Sequence, residues 1–159
     1  MGDRTYVSLH VPNEHAARVS EIAGKEYTKP EDENELDELT FYGFTEVNYG
    51  VLPFLKTLQQ EGIAYDSEWN AGGEYGKGTE HCRFSEKGEL EIKMVYDENL
   101  GVSLPALLEA IDDHEALKTI IRNHQAKTVP RSWDNQVQYG KRHRARRLID
   151  PTLTPSPTT

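Results

Sequence analysis

Residues able to do chemistry are concentrated in a few places: a glycine-rich loop, six histidines, one cysteine, many carboxylates and one basic run. The loop Gly72-Gly73-Glu74-Tyr75-Gly76-Lys77-Gly78-Thr79 has the texture of a phosphate cradle. A phosphate loop needs G-x-x-x-x-G-K-[ST], so that amides and an ammonium surround the phosphate while the hydroxyl meets magnesium. Neither Gly72 nor Gly73 has that spacing to Gly76, and Gly78 stands where the hydroxyl residue belongs. Strand character follows, which removes the helix dipole, and Glu74 and Glu80 would repel an anion. The loop reads instead as structural or as a partner contact, with Trp69 and Tyr75 as aromatic anchors.

The histidines are His10, His15, His81, His114, His124 and His143. Zinc wants ligands converging in a tetrahedron. His81 and Cys82 are neighbours on one strand and point to opposite faces, and His114 and His124 lie nearly three helical turns apart. Cys82 alternates with Glu80 and Phe84; on an inward face it is an inert core thiol, since a nucleophile needs a base and an electropositive pocket. The carboxylate pairs Asp66/Glu68 and Asp97/Glu98 have nothing to separate them from solvated surface. The expectation is a non-enzymatic protein with no catalytic residue, metal or cofactor. A cleft gathering His10, His81, Cys82 and carboxylates would favour a small hydrolase or transferase instead.

Charge is the most informative property. The 159 residues carry a net charge of −9, but residues 1–120 hold 25 acids against 10 bases while residues 121–159 hold 8 bases against 2 acids. An acidic body therefore carries a basic C-terminal segment. Within Glu31-Asp32-Glu33-Asn34-Glu35-Leu36-Asp37-Glu38 six of eight residues are acidic, and lone Leu36 cannot bury the segment. Joined by Glu14, Glu21, Glu26, Glu46, Glu61, Asp66, Glu68 and Glu74 on one face, these acids would imitate a duplex, whose charge density is about one per 1.7 Å of axis. The basic run is Lys141-Arg142-His143-Arg144-Ala145-Arg146-Arg147, with Trp133 and Tyr139 nearby as stacking or anchoring groups. The run reads as a solvated tail, as a segment folded back on the acidic body, or as a contact for nucleic acid or an acidic protein surface; in helical form it would align Arg142 with Arg146.

These groups need elements to hold them. Alternation predicts strands over residues 4–11, 39–47, 63–69, 79–84 and 89–96, with Gly43 marking a bulge and 85–88 turning a hairpin. In the last strand Leu90, Ile92, Met94 and Tyr96 oppose Glu91, Lys93 and an apolar exception, Val95. Helical spacing predicts a helix after an Asn13 cap ending at Gly24, a second over 51–61, a third over 103–111 behind Ser103, and a fourth over 113–124 behind Asp112, at cap-like spacing to Glu115, or the last two as one kinked helix. The fold class is α+β: a mostly antiparallel sheet of about five strands with helices packed on one face, a ferredoxin-like variant being one form. The domain organisation is an acidic α+β domain over 1–124, then a basic extended arm and Pro/Thr-rich tail over 125–159.

One cysteine excludes an internal disulfide and fits a reducing compartment. Neither an apolar leader core nor a run long enough to cross a bilayer is present, and the sixth residue is Tyr rather than the Ser or Thr that myristoylation wants, so a cytoplasmic location with no membrane partner is expected. The function expected is an acidic surface binding a basic site on a nucleic-acid-processing protein, as inhibitor or adaptor. Its binding residues would be Glu31, Asp32, Glu33, Glu35, Asp37, Glu38, Trp69, Tyr75, Trp133, Lys141, Arg142, Arg144, Arg146 and Arg147. The alternative is an accessory protein that binds nucleic acid weakly through residues 141–147.

Overall fold

The computed structural model describes residues 3–24, 27 and 38–152. The fold is mixed α+β, a five-stranded antiparallel sheet with helices packed against it. The strands are β1 (Arg4–Pro12), β2 (Leu39–Asn48), β3 (Tyr65–Trp69), β4 (Gly78–Phe84) and β5 (Leu90–Tyr96), in the order β2-β1-β3-β4-β5. The helices are α1 (Ala16–Ala23), α2 (Leu55–Gln60), α3 (Leu104–Glu109), α4 (His114–Thr128) and α5 (Gln136–Ile149). This element order departs from the β-α-β-β-α-β of a ferredoxin-like variant, because β1 pairs directly and antiparallel with β2.

Alternation sets the register. Leu9 pairs with Tyr42 and Ser67, Tyr65 with Cys82, and Cys82 with Ile92, so Val7, Leu9, Val11, Tyr42, Phe44, Tyr65, Trp69, Cys82 and Phe84 form one buried face. Val19 of α1 and Leu55 and Leu58 of α2 close over it. A slip of one residue would bring His10, Asp66 and His81 into that core, which explains why the register is firmly specified. The irregularity expected at Gly43 lies elsewhere. Gly43 pairs normally with Ser8, and the shift falls between Thr5 and Val7, where the facing strand turns through Glu46 at φ 58°.

Helices occupy both sides of the sheet rather than one. Lys93, on the face opposite Ile92 and Met94, donates to the carbonyls of Ala126 (2.8 Å) and Val129 (2.6 Å) at the C-terminal end of α4, where a cation is favoured. Val95, the apolar exception on that same face, is buried. The Asp113 side chain caps α4, accepting from the amides of Glu115 (3.1 Å) and Ala116 (3.0 Å). Asn13 instead opens a 3-10 turn, and its side chain accepts from the Thr40 hydroxyl at 2.7 Å.

The segment expected to be an extended arm is helical. Its first residues continue α4 to Thr128, and residues 136–149 form α5 against the β4–β5 hairpin. The inward face of α5 is Gln136, Gly140 and His143, a helical repeat built without one aliphatic residue. Gln136 is 2% exposed, accepting from the Phe84 amide (2.7 Å) and donating to the Phe84 carbonyl (3.1 Å), so it satisfies the end of β4 as another strand would. His143 stacks on Phe84 with centroids 4.9 Å apart and donates through Nδ1 to the Gly88 carbonyl at 3.0 Å. Gly140 meets Gly62, just past α2, backbone to backbone; a Cβ at either would run into the other's carbonyl. Gly140→Ala is expected to lower stability by about 2–3 kcal/mol, read as a fall in the urea midpoint.

Burial lowers the pKa of His143 and outweighs the opposing hydrogen bond to Gly88, with Arg147 and Arg146 adding to the effect of burial. The unfolded chain therefore takes up a proton that the native state resists. The contribution is complete above the ordinary histidine pKa of about 6.5 and is lost as pH falls toward the lower native value. Urea midpoints measured from pH 7.5 to 5.5 should decline on the acid side, and His143→Gln should flatten that decline. A residual slope belongs to His15, whose pKa burial also lowers.

Candidate functional site

Strand β4 holds one charged residue on the wrong side. Gly78, Glu80, Cys82 and Phe84 share the core-facing side, and the other three are small or apolar. Glu80 lies opposite Ser67 of β3 and Met94 of β5. With Tyr49, Val51, Leu55, Trp69, Tyr75 and Tyr96 these residues line a pocket of about 140 Å³. That is well below the roughly 300 Å³ at which pockets for drug-sized ligands begin, and suits the end of one side chain or a small ion.

The walls are aromatic. The Trp69 and Tyr96 rings meet edge to face at 5.9 Å, and those of Tyr49 and Tyr75 approach to 6.3 Å. Trp69 is fixed by an indole N–H donated to the Gly76 carbonyl at 3.0 Å. It is wedged between two glycines: a Cβ on Gly50 would stand 2.7 Å from the Trp69 Cβ, and one on Gly78 2.6 Å from its Cζ2. The Asp3 carboxylate accepts from the amides of Gly73 and Glu74, and the Asp3 carbonyl accepts from the Tyr49 amide at 2.8 Å. One residue thus ties the loops of both Tyr75 and Tyr49 together.

Glu80 is oriented from behind. Burial pushes the Tyr65 hydroxyl far above its usual pKa, so it stays protonated and donates to Glu80 Oε1, while Gln59 Nε2 donates to the same hydroxyl at 2.8 Å. Among the described residues Glu80 forms no ion pair. Two other lining residues have unmet polar atoms: Ser67 Oγ and the Tyr75 hydroxyl are buried without a hydrogen-bond partner among the described residues.

The opposite face of β3 and β4 makes a useful contrast. Asp66 accepts from His81 Nδ1 at 2.7 Å and lies 2.8 Å from Arg83, which is 2% exposed. Burial alone would raise the Asp66 pKa, but the bonds from His81 and Arg83 overcome it and hold the carboxyl below its usual range. Arg83 also donates to the carbonyls of Tyr65 and Arg131 (both 3.0 Å) and packs 3.6 Å from the Trp133 ring centroid. This buried charge is fully answered, as buried ion pairs must be. Cys82 lies on the other face with zero exposure, and burial pushes its thiol well above the ordinary value. The cleft of His10, His81 and Cys82 that hydrolytic chemistry would use is therefore not formed.

The residues expected to bind a partner divide into groups. Trp69 and Tyr75 meet in the pocket. Glu38, Trp133 and Lys141 border a separate hollow of about 780 Å³. Arg142 and Arg146 do share a helical face, and at the surface they donate to the carbonyls of Glu86 (2.5 Å) and Lys87 (3.2 Å) in the hairpin turn. Arg144 is exposed and adds to the hydrogen bonds of Arg18 in holding the Glu61 carboxyl low, and Arg147 lies near His143. Glu31, Asp32, Glu33, Glu35 and Asp37 fall outside the described residues. Of the further acids proposed for one negative face, Glu21 and Glu61 pair with Arg18, Glu46 with Arg4, Glu68 with Lys77, and Asp66 with Arg83 and His81. Local pairing thus answers five of these acids, whereas Glu14 and Glu74, like Glu80, form no ion pair among the described residues. The signal of Glu80 in the sequence was its alternation with Cys82 and Phe84.

Set against family models, curated proteins and solved structures, the chain finds no match. Gly78→Ala should displace Trp69 and collapse the pocket, changing tryptophan emission and lowering stability by about 1–3 kcal/mol in urea titrations.

Proposed function

We propose that this is a non-enzymatic interaction protein that docks on a basic region of a macromolecular partner and anchors there by taking a positively charged group into the Glu80 pocket. The carrying observation is the Glu80 carboxylate, oriented by Tyr65, ringed by Tyr49, Trp69, Tyr75 and Tyr96, and lacking a cation among the described residues. Aromatic faces present negative charge to a cation, so they reinforce the carboxylate. The surrounding sequence adds Glu74, Asp97 and Glu98 as exposed acids beside lining residues. The excess of acids over residues 1–120 would steer a basic partner toward this side of the molecule. A nucleic-acid-handling protein with a basic groove is the partner class that offers such charge, and occupation of that groove would make this chain an inhibitor or adaptor.

The test uses the full chain and an immobilised Lys/Arg-rich peptide in surface plasmon resonance. Association should slow clearly as salt rises from about 50 to 500 mM, where the screening length shrinks several-fold. Glu80→Gln should weaken binding by about tenfold or more, chiefly through faster dissociation. A salt-independent association rate, or a variant that binds like the parent, counts against the reading.

A further inference from the structure

The pocket's polar inventory narrows the cation it takes. Resting on the docking reading above, we infer that the Glu80 pocket selects a primary ammonium, the end of an unmodified lysine side chain, over a quaternary ammonium or a guanidinium. Three features point there. The Ser67 hydroxyl lies in a residue 1% exposed and directly across from Glu80, with no hydrogen-bond partner among the described residues. Tyr75 lines the same pocket, and its hydroxyl is likewise buried without a partner among the described residues. Glu80 keeps Oε2 for a ligand, because Oε1 already accepts from Tyr65.

An ammonium carries three N–H donors that rotate freely on a narrow stem. Glu80, Ser67 and Tyr75 line one pocket and carry the oxygen acceptors such donors need, while Trp69 and Tyr96 supply aromatic walls. A trimethylated ammonium has no N–H. It would satisfy the aromatic walls and leave both hydroxyls buried and unpaired, the arrangement by which polar sites reject an analogue lacking a donor. A guanidinium prefers a carboxylate presenting both oxygens to its planar fork. Here it would have to share Oε1 with Tyr65, in a pocket of about 140 Å³. The same oxygen set would take a small free primary amine, since the chemistry recognised is the ammonium end.

The test is a titration of the ¹⁵N-labelled full chain with N-acetyl-lysine methylamide, its Nε-trimethyl analogue and N-acetyl-arginine methylamide. The indole N–H of Trp69 reports on the pocket. Trp133, the other of the two tryptophans, stacks on Arg83 and is the internal control. The lysine probe should shift Trp69 saturably and leave Trp133 in place, with the other two at least about tenfold weaker. Ser67→Ala should narrow the lysine preference over the trimethyl probe while retaining binding, and Glu80→Gln should abolish the response. Methylamine, titrated separately, should move the same resonance if the ammonium is the recognised end. Trimethyl-lysine or arginine binding as well as lysine, or no Trp69 shift from any probe up to about 50 mM, overturns the inference. Should that happen while the basic peptide is still held in a Glu80-dependent manner, docking stands and only the choice of cation falls. Should peptide retention prove independent of Glu80 while the lysine probe binds, the docking reading is the one that falls.

Discussion

The register of β4 between β3 and β5 constrains everything else in this molecule. Alternation gives each residue of that strand one side of the sheet, and the pairing Tyr65–Cys82–Ile92 settles which side. Both sides receive a charge as a result. Arg83 goes to one and is answered by Asp66, three backbone carbonyls and the Trp133 ring. Glu80 goes to the other and receives a tyrosine hydroxyl but no cation among the described residues. A buried guanidinium with its full set of partners is a structural device; a carboxylate among aromatic walls, with no cation and two unpartnered hydroxyls among the described residues, is left to be answered from outside the fold only in the proposed docking.

Close backbone approach is the second theme, and it accounts for glycines that would otherwise look like loop composition. Gly50 and Gly78 clear the space that lets Trp69 lie flat at the pocket's edge, so the wall of the site is shaped by missing side chains on two other elements. Gly62 and Gly140 do the same for α5, which reaches the body through a glycine contact, an amide pairing with Phe84 and a neutral histidine on Gly88. That docking makes the basic run part of the folded body. Its arginines divide between hairpin carbonyls and solvent.

Much of the fold was legible in the sequence because its signals are local. Five alternating runs became five strands within a residue or two, the cap of α4 fell on Asp113, one residue beyond the Asp112 whose spacing to Glu115 pointed to it, and Val95 broke the wet face of β5 for a reason that the structure supplied as burial. The misreadings share a cause. Helix α5 carries no hydrophobic signal because Gln136, Gly140 and His143 repeat at helical spacing without being apolar, so its docking on the body does not show in the sequence. Gly43 has the residue type of a bulge, yet the irregularity occurs where Glu46 adopts a left-handed backbone.

The sequence by itself determined the five strands and the alternation that turns Cys82 to the dry side, because period-two alternation and turn chemistry act over a few residues. It also contained Glu80 on the dry side of a strand, though nothing local says whether a lysine from elsewhere will answer that charge. Only the tertiary structure decided this, bringing Tyr49, Ser67 and Tyr96 from three other segments around the carboxylate while Lys77 turned to Glu68 and Asp97. Pairing between charges depends on distances across the fold, and these are fixed by packing rather than by order along the chain.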